Sequence, residues 1–442
     1  MLILLLLLVA AQVPGPVRLS RDAPEDPVVR RCLANPAGMI PRATDDEPYL
    51  AVDPRNPRRA IAVWQTRSGS GSVIQWVRSS DGGRTWTVPR AAPINACAGG
   101  PLPNASHASD PWATFGPDGR AYLSAISWTP NPNDGPDLVS ALIVVASPDG
   151  GNTWHAPVPA AIAPDSSIAH DNLAITADPT RPGTVYAATT RAEQPDSVTY
   201  FGRLGFTRSD DGGRSWTPIR PITPALNHER IGAPQIVVDP RSGRLYAVYH
   251  RRTGGTGTVA VMRSDDRGDT WAAESAAAPH VAGERPAAPG TSHRFVLADD
   301  ILQAAISPRT GYLILAYSDG RRAPGRRHDV SVVWSPDGLR WSAPLAVSDS
   351  GSETAWLPAI AATTDGVIGV TYFSADFTSN APRASIWLKR YRQNADALVP
   401  LDPVLLDQAD LAWPGDYHGL AAIGTGLLAV YGKERDIWAR RH

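Results

Sequence analysis

Apolar residues alternate with polar ones in short runs, and the runs come in pairs around tight turns. The first pair is 48–52 and 60–64, around Asp53-Pro54-Arg55-Asn56-Pro57. The second is 111–115 and 121–124, around Gly116-Pro117-Asp118-Gly119. Five more follow: 173–177 with 185–187, 234–238 with 245–248, 301–306 with 313–317, 357–362 with 367–372, and 418–423 with 427–431. A period of two, broken by Pro, Asp and Gly, predicts antiparallel hairpins. A third alternating run follows each pair, at 73–80, 138–147, 201–209, 259–264, 330–335, 385–391 and 437–440. The turns at 53, 116, 178, 239, 307, 363 and 424 lie 63, 62, 61, 68, 56 and 61 residues apart. Seven units of similar length therefore fill the chain, and such a period marks an architecture of stacked repeats. Stretches with a helical period are hard to find.

A second repeat rides on the first. After the third run the chain reads Ser79-Ser80-Asp81-Gly82-Gly83-Arg84-Thr85-Trp86. The pattern returns as SPDGGNTW at 147–154, SDDGGRSW at 209–216, SDDRGDTW at 264–271 and, one residue short, SPDGLRW at 335–341. The Asp carboxylate can accept backbone N–H groups inside a tight turn, and Gly supplies positive φ. The hydroxyls tie off further turn groups, and Trp offers a large apolar wedge. These are folding modules, and their carboxylates are expected to be structural.

The segments resemble Asp-box (BNR) repeats, found in sialidases and their relatives. That resemblance covers nearly the whole chain. It implies a β-propeller in which each box turns between the third and fourth strands of a blade. We therefore expect an all-β, seven-bladed propeller, with the six blades of true sialidases as the alternative. The last unit ends at His442 without room for a fourth strand. Residues 16–22 are similar to 344–349, the fourth strand of the fifth unit. The N-terminal strand is thus expected to complete the last blade and close the ring, which removes the exposed sheet edge.

Residues 2–11 form an apolar run too short to span a bilayer and fit the core of a signal peptide ending at Ala11. The expected organisation is a leader at 1–11 and one propeller domain over 12–442, exported to the periplasm, cell surface or medium as a monomer. Cys32 and Cys97 are the only cysteines, fall in neighbouring loops on one face, and are expected to pair in an oxidising compartment. A net charge of −1 leaves no basic bias toward nucleic acid.

Strands of a blade alternate in direction, so the boxes share one face with the Asp-Pro turns. The opposite face carries the starts of first strands and the ends of second strands, and the resemblance places ligand sites there. The strand starts are rich in acid: Asp46 with Glu47, Asp110, Asp171, Asp299 with Asp300, Glu353, and Asp416 with Tyr417 and His418. The fourth unit, with Gly232 and Ala233, is the exception. Asp46, Asp110, Asp171 and Asp299 are the candidates for acid/base work. Clustered carboxylates titrate high, pair with arginine or hold a cation such as calcium. Alternatively they cap backbone N–H groups and face water. Arg67, Arg191, Arg251 and Arg321 end second strands and are candidates to hold a ligand's anionic group. No motif requires a cofactor. In sialidases the first arginine sits just before the first strand, where this chain has Asp46-Glu47-Pro48; Arg42 lies further upstream. The reading is a propeller that binds a carbohydrate or glycoconjugate. Glycoside hydrolysis by paired carboxylates and a structural role in a surface assembly are the alternatives.

Overall fold

The computed structural model describes residues 15–442 except 22–24, 36, 40–42, 70, 131–138, 197, 198, 200, 227, 284, 285, 287–297, 299, 300, 322–326, 349–352, 380, 381 and 395. The proposed leader lies outside these residues. Seven antiparallel sheets form seven blades. The first runs Thr44–Val52, Ala60–Ser68, Gly71–Ser79 and Arg90–Ala91, in that order from the axis outward. The next four begin at His107–Phe115, Ile168–Ala177, Arg230–Val238 and Leu302–Ile306 and repeat this order. The seven innermost strands pack side by side around the axis, and Gly419–Ile423 of blade seven meets Thr44–Val52 of blade one.

Blade seven takes its outer strand from the other end of the chain. Val17 pairs with Ala439, and Arg18 with Trp438. The Leu19 N–H donates to the Ile437 carbonyl at 2.7 Å, the Ile437 N–H donates to Ser20 Oγ at 3.0 Å, and Arg18 meets Asp436 at 2.7 Å. The ring is closed by the strand the repeat pattern nominated.

Blade six departs from the plan. Its third strand, Arg383–Asn394, is long and pairs with two outer segments, Ala397–Pro400 and Val404–Asp410. The turn between those segments splits the outer edge.

The boxes behave as the residue types dictate. In the first, Asp81 Oδ1 accepts the N–H groups of Arg84 and Thr85 at 3.0 and 2.9 Å, and the Thr85 hydroxyl donates to Oδ2 at 2.6 Å. Ser79 Oγ accepts the Gly83 N–H at 2.9 Å. These donors hold the Asp81, Asp149, Asp211 and Asp266 carboxyls down to about 2. Each box also seats on the preceding blade. A Cβ on Gly83 would meet the Leu428 side chain at 2.8 Å, and one on Gly268 would meet the Phe206 ring at 2.3 Å. At these two positions the left-handed backbone and the close neighbour both favour glycine.

A short helix, Pro27–Leu33, was not suggested by the hydrophobic pattern. Asp26 caps it by accepting the Val28 N–H at 2.7 Å, and it buries Val29, Cys32 and Leu33 against blade one. Cys32 and Cys97 form the expected disulfide, with a Cα–Cα distance of 5.6 Å.

Candidate functional site at the channel mouth

Six of the seven blades place a left-handed residue on the way into the first strand, five of them at one repeat position and blade five three residues earlier. Glu47, Asp110, Asn172, Ala233, Ala298 and Leu357 all have φ between 44° and 53°. In five of these strands the pairing to the second strand skips two residues at that point, between Asp46 and Tyr49, Ser109 and Trp112, Asp171 and Ala174, Gly232 and Gln235, and Trp356 and Ala359. A left-handed non-glycine residue costs about 1–3 kcal/mol, and bulges of this kind re-aim side chains. Here they turn one residue per blade toward the mouth of the central channel.

Blades one and two present Glu47 and Asp110. Both are nearly buried, and Glu47 Oε2 accepts the Asp110 N–H at 3.3 Å. Burial, then the charges of Asp110, Asp416 and Asp46, holds the Glu47 carboxyl well above its ordinary range. Burial, then Asp171 and Asp416, does the same to Asp110. Asp46 is fully buried and pushed up to about 6 by burial, against the pull of the Arg67 guanidinium 2.7 Å away. Asp171 is exposed and Asp416 half-buried, and both act on Asp110 across the mouth. Five carboxyls thus share one field.

Aromatic rings make the floor. Tyr49 and Trp112 stack with centroids 3.5 Å apart, and Tyr417 lies 5.5 Å from Trp112. The buried Tyr417 hydroxyl donates to the Pro111 carbonyl at 3.0 Å. Beside the rings a small cavity opens among Asn172, Ala233, Ile301 and Gln303. The loop from blade six to blade seven straps the rim. Gly415 lies so close to Glu47 that a Cβ there would stand 2.3 Å from the Glu47 nitrogen, and Trp413 stacks under the Arg67 guanidinium at 4.5 Å.

The structure brings together Asp46, Glu47, Arg67, Asp110, Asp171, Asp416 and Tyr417. The other candidates stand elsewhere. Arg191 is bound to Glu193 at 2.6 Å, Arg251 to Glu229 at 3.1 Å and Glu274 at 2.7 Å, and Arg321 to Asp319 at 2.6 Å. Each is spent on an acid of its own blade or of the strand leading into it. His418 is buried against Phe373 with Nε2 2.7 Å from Thr371 Oγ1, and burial pushes its ring down to about 3, so it is a core residue. Glu353 starts its strand four residues before the turned position, Leu357, and lines an outer cleft. Asp299, Asp300 and Arg42 lie outside the described residues. Among the described residues no three His, Cys, Asp or Glu side chains converge as a metal site. Sequence reasoning missed the aromatic floor and the Trp413 strap. The inward positions of the first strands, Tyr49 and Trp112, were the available signal for the floor.

A closed ring of seven antiparallel blades, five of them bearing boxes, defines a BNR-type propeller. A family profile described as a BNR repeat-like domain matches residues 47–274 and 140–370, and the chain belongs to that family. No curated protein matches the chain. Similar solved structures include a protein of unknown function from Dyadobacter fermentans, with 15% identity over 75% of this chain and 90% of that one and a TM-score of 0.49. Another is the Trypanosoma rangeli sialidase, with 16% identity, 88% and 59% coverage and a TM-score of 0.48. A third is the intramolecular trans-sialidase from Ruminococcus gnavus, with 15% identity, 90% and 94% coverage and a TM-score of 0.43.

Proposed function

We propose that this protein binds a glycan at the acidic channel mouth, with an uncharged or amino sugar in contact with Glu47 and Asp110. The observation that carries this reading is the pairing of a carboxyl cluster with an aromatic floor while the arginines are committed elsewhere. Sugar hydroxyls are donors that carboxylates accept, and a protonated carboxyl adds a donor of its own. Aromatic faces suit the apolar side of a sugar ring. An anionic sugar would instead need the bidentate arginines that are tied up in ion pairs. Arg67 stands nearest, and it is already held by Asp46 and Trp413.

The raised carboxyls favour a second reading, glycoside hydrolysis. A carboxylic acid kept protonated beside an ionised one is what acid-assisted cleavage of a glycosidic bond needs. Asp110 or Glu47 would be the acid and Asp416 or Asp171 the second carboxyl. The disulfide fits an oxidising compartment, and we take the protein to be exported. Among the described residues no helix is long and apolar enough to cross a membrane.

The test is a glycan array with a parallel panel of chromogenic glycosides, run on the wild type and on Glu47→Gln/Asp110→Asn. The double variant should lose at least tenfold in affinity for a set of wild-type ligands, about 1.4 kcal/mol. Turnover by the wild type, absent in the variant, would select hydrolysis. A wild type that binds and cleaves nothing on either panel would end the proposal.

A further inference from the structure

Blade six, which has no box, carries a second concavity far from the axis. Strand pairing places Tyr372 opposite Trp387 and Ser374 opposite Ala355. Directly paired residues project from one face, and so do residues two apart. Tyr372, Ser374, Trp387 and Lys389 therefore share the face that looks toward blade five. Where the third strand exchanges one outer segment for the other, Pro403 stands at the break and the sheet edge parts. The result is a cleft of about 450 Å³ between blades five and six, lined by Ser348, Tyr372, Trp387, Lys389 and Glu353.

The chemistry of the lining is selective. The Trp387 indole N–H donates to Ser374 Oγ at 3.2 Å, which fixes the plane of the half-buried ring. Ser348 is likewise held, accepting the Val330 N–H and donating to Asp329, both at 3.0 Å. An oriented aromatic face thus stands beside one cation and one anion. Lys389 is notable in a chain whose other lysine is Lys433 and whose remaining cations are arginines. A compact ammonium with three donors suits scattered hydroxyl acceptors better than a planar guanidinium fork. With both signs present the cleft carries no net charge to favour an ionic ligand.

We propose that this inter-blade cleft is a second glycan-binding site, which takes an uncharged sugar residue stacked on Trp387 with its hydroxyls bonded to Lys389 and Glu353. It is separate from the channel mouth. A long chain engaged at both sites would gain avidity without any change at either.

The test uses the full chain on an array of immobilised neutral and acidic oligosaccharides and polysaccharides. Trp387→Ala, Trp387→Phe and Lys389→Ala are each made in the wild type and in Glu47→Gln/Asp110→Asn. Binding of neutral glycans should survive in the mouth variant and fall at least about tenfold on adding Trp387→Ala, as for a ring removed from the centre of an interface. Trp387→Phe should restore most of that loss, whereas Lys389→Ala, at a half-buried position, should weaken binding of neutral glycans. If the mouth variant binds nothing, the cleft proposal falls while the mouth reading stands. If Trp387→Ala and Lys389→Ala both leave every affinity within twofold, the cleft is not a site. If the wild type binds no glycan, both readings fall together.

Discussion

Asp45 offers a direct test of the electrostatics that surround the mouth. Its side chain is 7% exposed at the seam between blade one and the closing blade, where its N–H donates to the Arg435 carbonyl at 2.9 Å. Oδ1 accepts the Trp64 indole N–H at 3.2 Å and the Thr66 hydroxyl at 2.5 Å. Burial, with the charges of Asp436 and Asp46, outweighs the Thr66 hydrogen bond and pushes the carboxyl from 3.8 up to about 7. A carboxyl raised in the folded state favours folding fully below its unfolded value. That contribution is lost as pH rises toward the folded value. A shift of about 3 units at about 1.4 kcal/mol each sets a ceiling of about 4 kcal/mol, and local relaxation brings about 2 within reach. Asp45→Asn keeps the acceptor oxygen and removes the charge. It should change stability little at pH 4 and raise it by about 2–4 kcal/mol at pH 8. Urea titrations of both proteins at the two pH values read this directly. Melting temperature is a blunt probe, because a chain of 442 residues moves only about 1 °C per kcal/mol. An identical difference at both pH values, or a variant less stable at pH 8, would refute the reasoning.

Other outcomes follow from the same contacts. The disulfide closes a loop with a sequence separation of 65, so Cys32→Ser/Cys97→Ser should cost about 4 kcal/mol in a denaturant titration. Asp149→Ala removes the acceptor of two N–H groups and two hydroxyls in the second box, and should cost about 1–2 kcal/mol with glycan binding unchanged. Because the Asp149 carboxyl is held down to about 2, that cost should shrink as pH falls from 4 toward 2, checked by the same titrations. Deleting residues 1–20 strips the outer strand from blade seven, removes Leu19, now 2% exposed, and uncovers Ile437 and Ala439, and should lower stability by about 3–5 kcal/mol and favour self-association by light scattering.

The periodicities that survive in single residue types were legible. The alternating strand pairs and their turns located all seven blades, and the likeness of 16–22 to 344–349 located the closing strand. The clustering of Asp46, Glu47, Asp110, Asp171 and Asp416 followed from repeat position alone. What was hidden depends on which neighbour wins a side chain. Arg191, Arg251 and Arg321 end second strands as expected, but an acid within reach along the fold claims each of them, at Glu193, at Glu229 with Glu274, and at Asp319. Glu353 looked equivalent to Glu47 because both lead into a first strand. The two differ by four residues relative to the bulge, enough to move one from the axis to the rim.

The bulge itself explains why one repeat plan yields an asymmetric mouth. In six of the seven blades a residue leading into the first strand takes left-handed backbone, whatever its chemistry. Glu47, Asp110 and Asn172 make the first three positions polar, and Ala233, Ala298 and Leu357 make the next three apolar. Tyr49 and Trp112, two residues after the first two of these, supply the rings beneath the acids, and Gln235 and Gln303 supply amides under the apolar half. Gln303 crosses to the His418 carbonyl at 2.7 Å and Gln235 to the Leu302 carbonyl at 2.9 Å, so the apolar half is braced internally. Backbone strain repeated around the ring therefore acts as a fixed frame. Function varies by substituting the residue at one position per blade, which is why repeats that specify the fold so well say little about what the mouth binds.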